Sequence, residues 1–299
     1  MRWKILAPLV AMLLGLSAMI PDTPSLLSWP DLTSRPRPQA DATISYGADA
    51  YQKVDLWLPK GAGKHPVVLM VHGGCWQTAI ADRTLMNWIA ADLRGRGIAV
   101  WNIDYRGVDR PGGGYPGTFQ DAAAAADALA TNAARYRLDT SRVVAVGHSA
   151  GGHLALWLAG RAKLPVNSLL RTRNPLKIAH VVSLGGLPDL EATAASPDNG
   201  CGTEIVAKLT GPKSASRPDV FADISVPRLL PIGVPQELVN GDNDRIIPMR
   251  LGTGYSQQAT KAGDQATLHR IANTGHVELI APETAAWGKA RSLIEAAFK

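Results

Sequence analysis

A chain of 299 residues, 46% hydrophobic and 19% charged, can bury the core of one large α/β domain or two smaller ones, and this composition excludes a disordered protein. The formal charge of +6 is spread over scattered Lys and Arg with no long basic run, which excludes a nucleic-acid footprint. Two cysteines, Cys75 and Cys201, allow one disulfide but no framework of them, and no CxxC or His/Cys cluster has metal-ligand spacing, so no metal and no cofactor is expected.

Arg2 and Lys4 precede a run from Ile5 to Ile20 without a charged residue, the pattern of a secretory signal or an uncleaved signal-anchor. The run is shorter than the ~20 residues of a comfortable membrane span, which favours a signal. Gly15-Leu16-Ser17 and Ala40-Asp41-Ala42 are the small-x-small candidates for cleavage. The expectation is therefore export, periplasmic or secreted, or membrane attachment through residues 5–20. Pro21 to Pro38 is rich in Pro, Ser and Asp, and residues 21–41 read as an extended linker. The folded domain is expected over residues 42–299.

Thr43 to Tyr46 and Lys53 to Leu58 alternate polar and apolar residues, as half-exposed antiparallel strands do. Pro66 to Val71 is continuously apolar and suits a central parallel strand covered on both faces. Strands and helices then alternate. A helix over Ala81–Leu93 is followed by a strand over Ile98–Ile103, a helix over Phe119–Arg135 and a strand over Arg142–Val146. Further strands are expected over Ile178–Leu184, Pro235–Val239 and Thr267–Ile271, with helices near Gly252–Ala262 and over Ala285–Phe298. Such alternation implies right-handed crossovers and a mostly parallel sheet. Residues 185–232, rich in Pro, Ser, Asp and Gly, interrupt the rhythm and read as a cap-like insertion over the site.

Strand Arg142–Val146 runs into Gly147-His148-Ser149-Ala150-Gly151, and an apolar helix pattern begins at once. Strand, Gly-x-Ser-x-Gly, helix is a nucleophile elbow: a tight turn leaves the serine exposed, and glycine stands where a Cβ would clash. The helix N-terminus then points amides at charge developing beside Ser149. A serine needs a base, and the base an orienting acid; in this arrangement both follow it, acid first. Asp242 and Asp244 compete in the turn after Pro235–Val239, with Asp244 preferred and Asp242 assigned to turn chemistry. Only His269 and His276 lie beyond them; His269 falls within a strand, so His276 is the expected base. His72-Gly73-Gly74-Cys75-Trp76 follows another strand, and its backbone can form an oxyanion hole. Gly74, Cys75 and Ala150 are the expected donors, with Gly73 a further candidate, and one such donor is typically worth about 3–4 kcal/mol of transition-state stabilisation. His72, His148 and His153 are expected to pack or hold loops.

The His-Gly-Gly-x-Trp loop, the Gly-His-Ser-Ala-Gly-Gly elbow, the Asn-Gly-x-x-Asp-x-x-Ile-Pro turn and the Gly-His-x-Glu-Leu-Ile segment together resemble the α/β-hydrolase superfamily. Asp104-Tyr105-Arg106 also matches a segment of its esterases. The resemblance runs from about Thr43 to Lys299 and is to the kynurenine formamidase, hormone-sensitive lipase-like and feruloyl/acetyl-xylan esterase-like groups. It implies Ser149 as nucleophile, Asp244 as acid, His276 as base and a small-molecule ester or amide as substrate. Asn240 departs from the histidine many relatives carry, and Cys75 occupies a variable position. An exported formamidase would sit apart from an intracellular pathway, which favours an ester. The other readings are a peptidase of the prolyl-oligopeptidase type, which lacks its large N-terminal propeller here, and a non-catalytic binding module, which usually loses a triad member.

Overall fold

The computed structural model describes residues 25–299; the leader reading for residues 1–20 falls outside them. Eight strands form one sheet: β1 (Ala42–Ser45), β2 (Lys53–Trp57), β3 (His65–Val71), β4 (Ala99–Ile103), β5 (Leu138–His148), β6 (His180–Leu184), β7 (Gln236–Gly241) and β8 (Ala266–Ile271). Their spatial order is β1-β2-β4-β3-β5-β6-β7-β8. β2 runs antiparallel to both neighbours, and the six strands from β4 to β8 are parallel. This is the α/β-hydrolase architecture.

The apolar runs explain where the core lies. On β3, Val67, Leu69 and Val71 face one layer while Val68 and Met70 face the other, and all five are fully buried. The first layer is covered by α3 (Gly117–Tyr136), α4 (Ala150–Gly160) and α7 (Met249–Lys261), the second by α2 (Asn87–Gly95) and α8 (Ala285–Ala297). Alanines on α3 let its backbone come close to the sheet, so that Trp101 Nε1 donates to the Ala125 carbonyl at 2.8 Å. α4 is apolar on nearly every face because it is enclosed, with Leu154, Leu156 and Trp157 inaccessible to solvent.

Two segments differ from expectation. The helix expected over Ala81–Leu93 begins only after a single 3₁₀ turn, Arg83–Met86, because the Asp82 carboxylate caps the Thr84 amide at 2.8 Å. The stretch expected as an extended linker contains a helix, α1 (Trp29–Thr33), docked on the domain through the fully buried Leu32. Its start is capped by Asp31, whose carboxylate accepts from the Ser28 amide at 2.7 Å and the Ser28 hydroxyl at 2.6 Å. Residues 185–232 carry α5 (Leu190–Ala194), α6 (Thr203–Thr210) and a 3₁₀ turn at Val226–Leu229. Cys201 in this insertion is joined to Cys75 by a disulfide. No helix among the described residues is long and apolar enough to cross a membrane.

Candidate active site

β5 ends in the elbow, and the strain is explicit: Ser149 has φ 54° and ψ −122°, a backbone region that side-chain-bearing residues avoid. Its surroundings over-determine it. The Ser149 amide donates to the Leu184 carbonyl at 2.8 Å. A Cβ on Gly147 would lie 2.0 Å from the Gly151 carbonyl oxygen, and one on Gly151 would lie 2.2 Å from that of Val71. The two glycines therefore let the turn close on itself and let the loop after β3 rest against it.

That loop is equally constrained. Gly74, Cys75 and Trp76 all have positive φ, at 98°, 52° and 54°. His72 fixes its start: Nδ1 faces the Gly73 carbonyl at 2.7 Å, Nε2 faces Asp104 at 3.0 Å, and the ring stacks on Tyr105 at 4.4 Å. Arg83 bridges Asp104 and Asp55, at 2.9 Å to each. The amides of Gly74, Cys75 and Ala150 donate to no protein acceptor among the described residues.

The turn after β7 carries Asp244. Its Oδ1 accepts from the Ile246 and Ile247 amides, both at 2.8 Å, and its Oδ2 lies 2.6 Å from His276 Nδ1. Both side chains are almost fully buried. Asp242 is exposed, and His269 on β8 faces Glu237 at 2.6 Å, away from this pair. Ser149 and His276 line one cavity; among the described residues no hydrogen bond yet joins the hydroxyl to the ring, and such contacts commonly tighten only when substrate is bound.

His148 and His153 support the site. The His148 ring lies 4.4 Å from that of His276, and its Nε2 faces the His276 carbonyl at 3.2 Å. Burial, with His276 adjacent, holds the His148 pKa well below the usual imidazole range. His153 accepts at Nδ1 from Trp76 Nε1–H, at 3.2 Å, and donates from Nε2 to the Ile224 carbonyl, at 2.8 Å. Burial pushes its pKa down to about 4, so it stays neutral.

The cavity, about 330 Å³, is lined by Ser149, His276, Gly74 and Cys75 on the polar side. Trp29, Ile80, Leu85 and Ile246 form most of the apolar side, and Gly200 brings the insertion to its edge. Sequence reasoning missed Trp29, Ile80, Leu85 and Ile246 as walls. A signal for Trp29 was present, since Ser28, Pro30 and Asp31 together mark a helix start.

Fold and site define a carboxylesterase-like α/β hydrolase. The BD-FAE family model matches residues 54–258, more than half of the chain, and the chain belongs to that family. It is similar to the probable isoprenylcysteine alpha-carbonyl methylesterase ICMEL1 of Arabidopsis thaliana, with 34% identity over 119 residues, covering 40% of this chain and 24% of that protein. The Oryza sativa subsp. japonica protein of the same name is 34% identical over 118 residues, 39% of this chain and 27% of its own. The matches thus span about a quarter of these relatives' length. Among solved structures, a truncated carbohydrate esterase from gut microbiota superposes with TM-score 0.71 at 20% identity, over 87% of this chain and 98% of that one. Esterase B of Lactobacillus rhamnosis gives 0.72 at 18% identity, over 88% and 87%.

Proposed function

We propose that the protein hydrolyses a small carboxylic ester through an acyl-Ser149 intermediate. The observation that carries this reading is the buried 2.6 Å contact between Asp244 Oδ2 and His276 Nδ1, at the wall of the cavity that holds Ser149. The carboxylate holds the proton on Nδ1 and leaves Nε2 as the base. His276 Nε2 takes the Ser149 proton as Oγ attacks the carbonyl carbon. The amides of Gly74, Cys75 and Ala150 receive the resulting oxyanion. His276 then passes its proton to the departing alkoxide, and later deprotonates the water that releases the acid. The ester-cleaving names of the relatives favour an ester over an amide. For location, the charged start and apolar run of residues 2–20 support export, and the Cys75–Cys201 bond is at home in an oxidising compartment.

Turnover of p-nitrophenyl acetate by wild type and Ser149→Ala tests this, with labelling by a fluorophosphonate probe in parallel. The variant should lose at least about 10³-fold in kcat and all labelling. Unchanged turnover in Ser149→Ala would refute the proposal.

A further inference from the structure

The arm ahead of β1 does more than connect. On one side Leu27 donates its amide to Glu278 Oε1 at 2.6 Å, and Glu278 Oε2 accepts from the Gly275 amide at 3.1 Å, tying the arm to the loop that carries His276. On the other side Arg37 reaches Thr84 at 2.9 Å, and Trp88 Nε1 and Asn87 Nδ2 donate to the carbonyls of Pro36 and Pro38. α1 is thus held between two segments that flank the cavity. Trp29, presented between these anchors, lies edge-on to His148 and His276, with ring centroids 6.2 and 6.1 Å away.

We infer that Trp29 sets the size of the alcohol portion of the ester, an inference that rests on the acyl-serine reading above. The departing alkoxide must collect its proton from His276, so the alcohol leaves on that ring's side of the scissile bond. A wall in edge contact with the ring is therefore a wall of the alcohol subsite. The cavity, about 330 Å³, is at the small end of ligand pockets, which run from about 300 to 1,000 Å³. An indole is large and has only two side-chain torsions, so it limits the space as a rigid stop. Shortening it should lengthen the subsite without moving the chemistry.

The test measures acid release by pH-stat titration for the full chain, Trp29→Ala and Trp29→Phe, on two ester series. The first varies the alcohol: methyl, butyl and 2-phenylethyl acetate. The second varies the acid: methyl acetate, butyrate and octanoate. Trp29→Ala should raise kcat/KM for 2-phenylethyl acetate relative to methyl acetate by about tenfold or more, the scale on which apolar pockets discriminate. Trp29→Phe should fall between, and ratios within the acid series should stay as in wild type. A uniform loss of kcat across both series would mean that Trp29 only props His276, and overturns the inference. A shift confined to the acid series overturns the assignment to the alcohol side. Should Trp29→Ala fail to fold, Trp29→Phe decides alone, since no shift in the alcohol series overturns the inference. Ser149→Ala on the same esters separates the layers: turnover there sinks the acyl-serine reading, whereas a dead Ser149→Ala with unmoved ratios sinks only the role of Trp29.

Discussion

The two sides of the cavity are built by different means. Ser149, Ala150, Gly74 and Asp244 stand at or just past the carboxyl ends of β5, β3 and β7, and His276 follows β8. Sheet bonds and glycines with no room for a Cβ fix that side. Trp29 and Gly200 come from segments outside the sheet, tied down by side-chain hydrogen bonds and one disulfide. Groups that do chemistry, as proposed for this side, need placement within fractions of an ångström, which strand ends over-determine; walls need only exclude, and can vary without disturbing the chemistry.

The largest expected effect lies on the sheet-borne side. Asp244→Asn keeps a carbonyl oxygen able to accept from the Ile246 and Ile247 amides, so the turn should persist. It loses the charge that fixes the His276 tautomer, and kcat on p-nitrophenyl acetate should fall by about 10⁴. A loss below about tenfold, with a native circular dichroism spectrum, would place the acid elsewhere and break the contrast between the two sides.

The same contrast explains what was legible in the sequence. Apolar runs such as Pro66–Val71 and the elbow carry their signal within a few consecutive residues, and the strands and the Asp244 turn fall where expected. Asp244 over Asp242 was readable as a preference only, because both suit a turn; in the structure Asp244 is buried against His276 and Asp242 is exposed. The walls depend on contacts that sequence spacing does not encode. Leu27 meets Glu278 across 251 positions, and Cys75 meets Cys201 across 126. A segment rich in Pro and Ser therefore reads as linker until Leu32 is seen to be fully buried in the core. The late start of α2 is a smaller case, in which Asp82 diverts the first turn into a 3₁₀ conformation.

A second prediction concerns the wall contributed by the insertion. The Cys75–Cys201 bond closes a loop of more than a hundred residues, and on chain entropy such a crosslink stabilises by roughly 3–5 kcal/mol. Cys75→Ala with Cys201→Ala should therefore lower the urea midpoint, while the backbone amide at position 75 remains. In the absence of denaturant kcat should fall far less than in Asp244→Asn. A loss as large as that of Asp244→Asn would show that the loop after β3 depends on the insertion, and the two sides would no longer be separable.

The smallest expected effect probes the joint where the two sides meet. His153 sits on α4 behind Ser149, accepting from Trp76 of the loop after β3 and donating to Ile224 of the insertion. Burial pushes the His153 pKa from 6.5 down to about 4, and protonation would also place a hydrogen on Nδ1 and destroy the first bond. The unfolded chain takes up that proton near pH 6.5, whereas the folded protein resists it until about pH 4. The neutral histidine's contribution is thus whole above pH 6.5 and is lost as pH falls toward 4, on the order of 3 kcal/mol in all. Urea unfolding at a series of pH values should show this slope in wild type and a shallower one in His153→Gln, which cannot titrate. Equal slopes would mean that the acid sensitivity comes from His148, whose pKa burial also lowers, and that the joint on α4 contributes none of it.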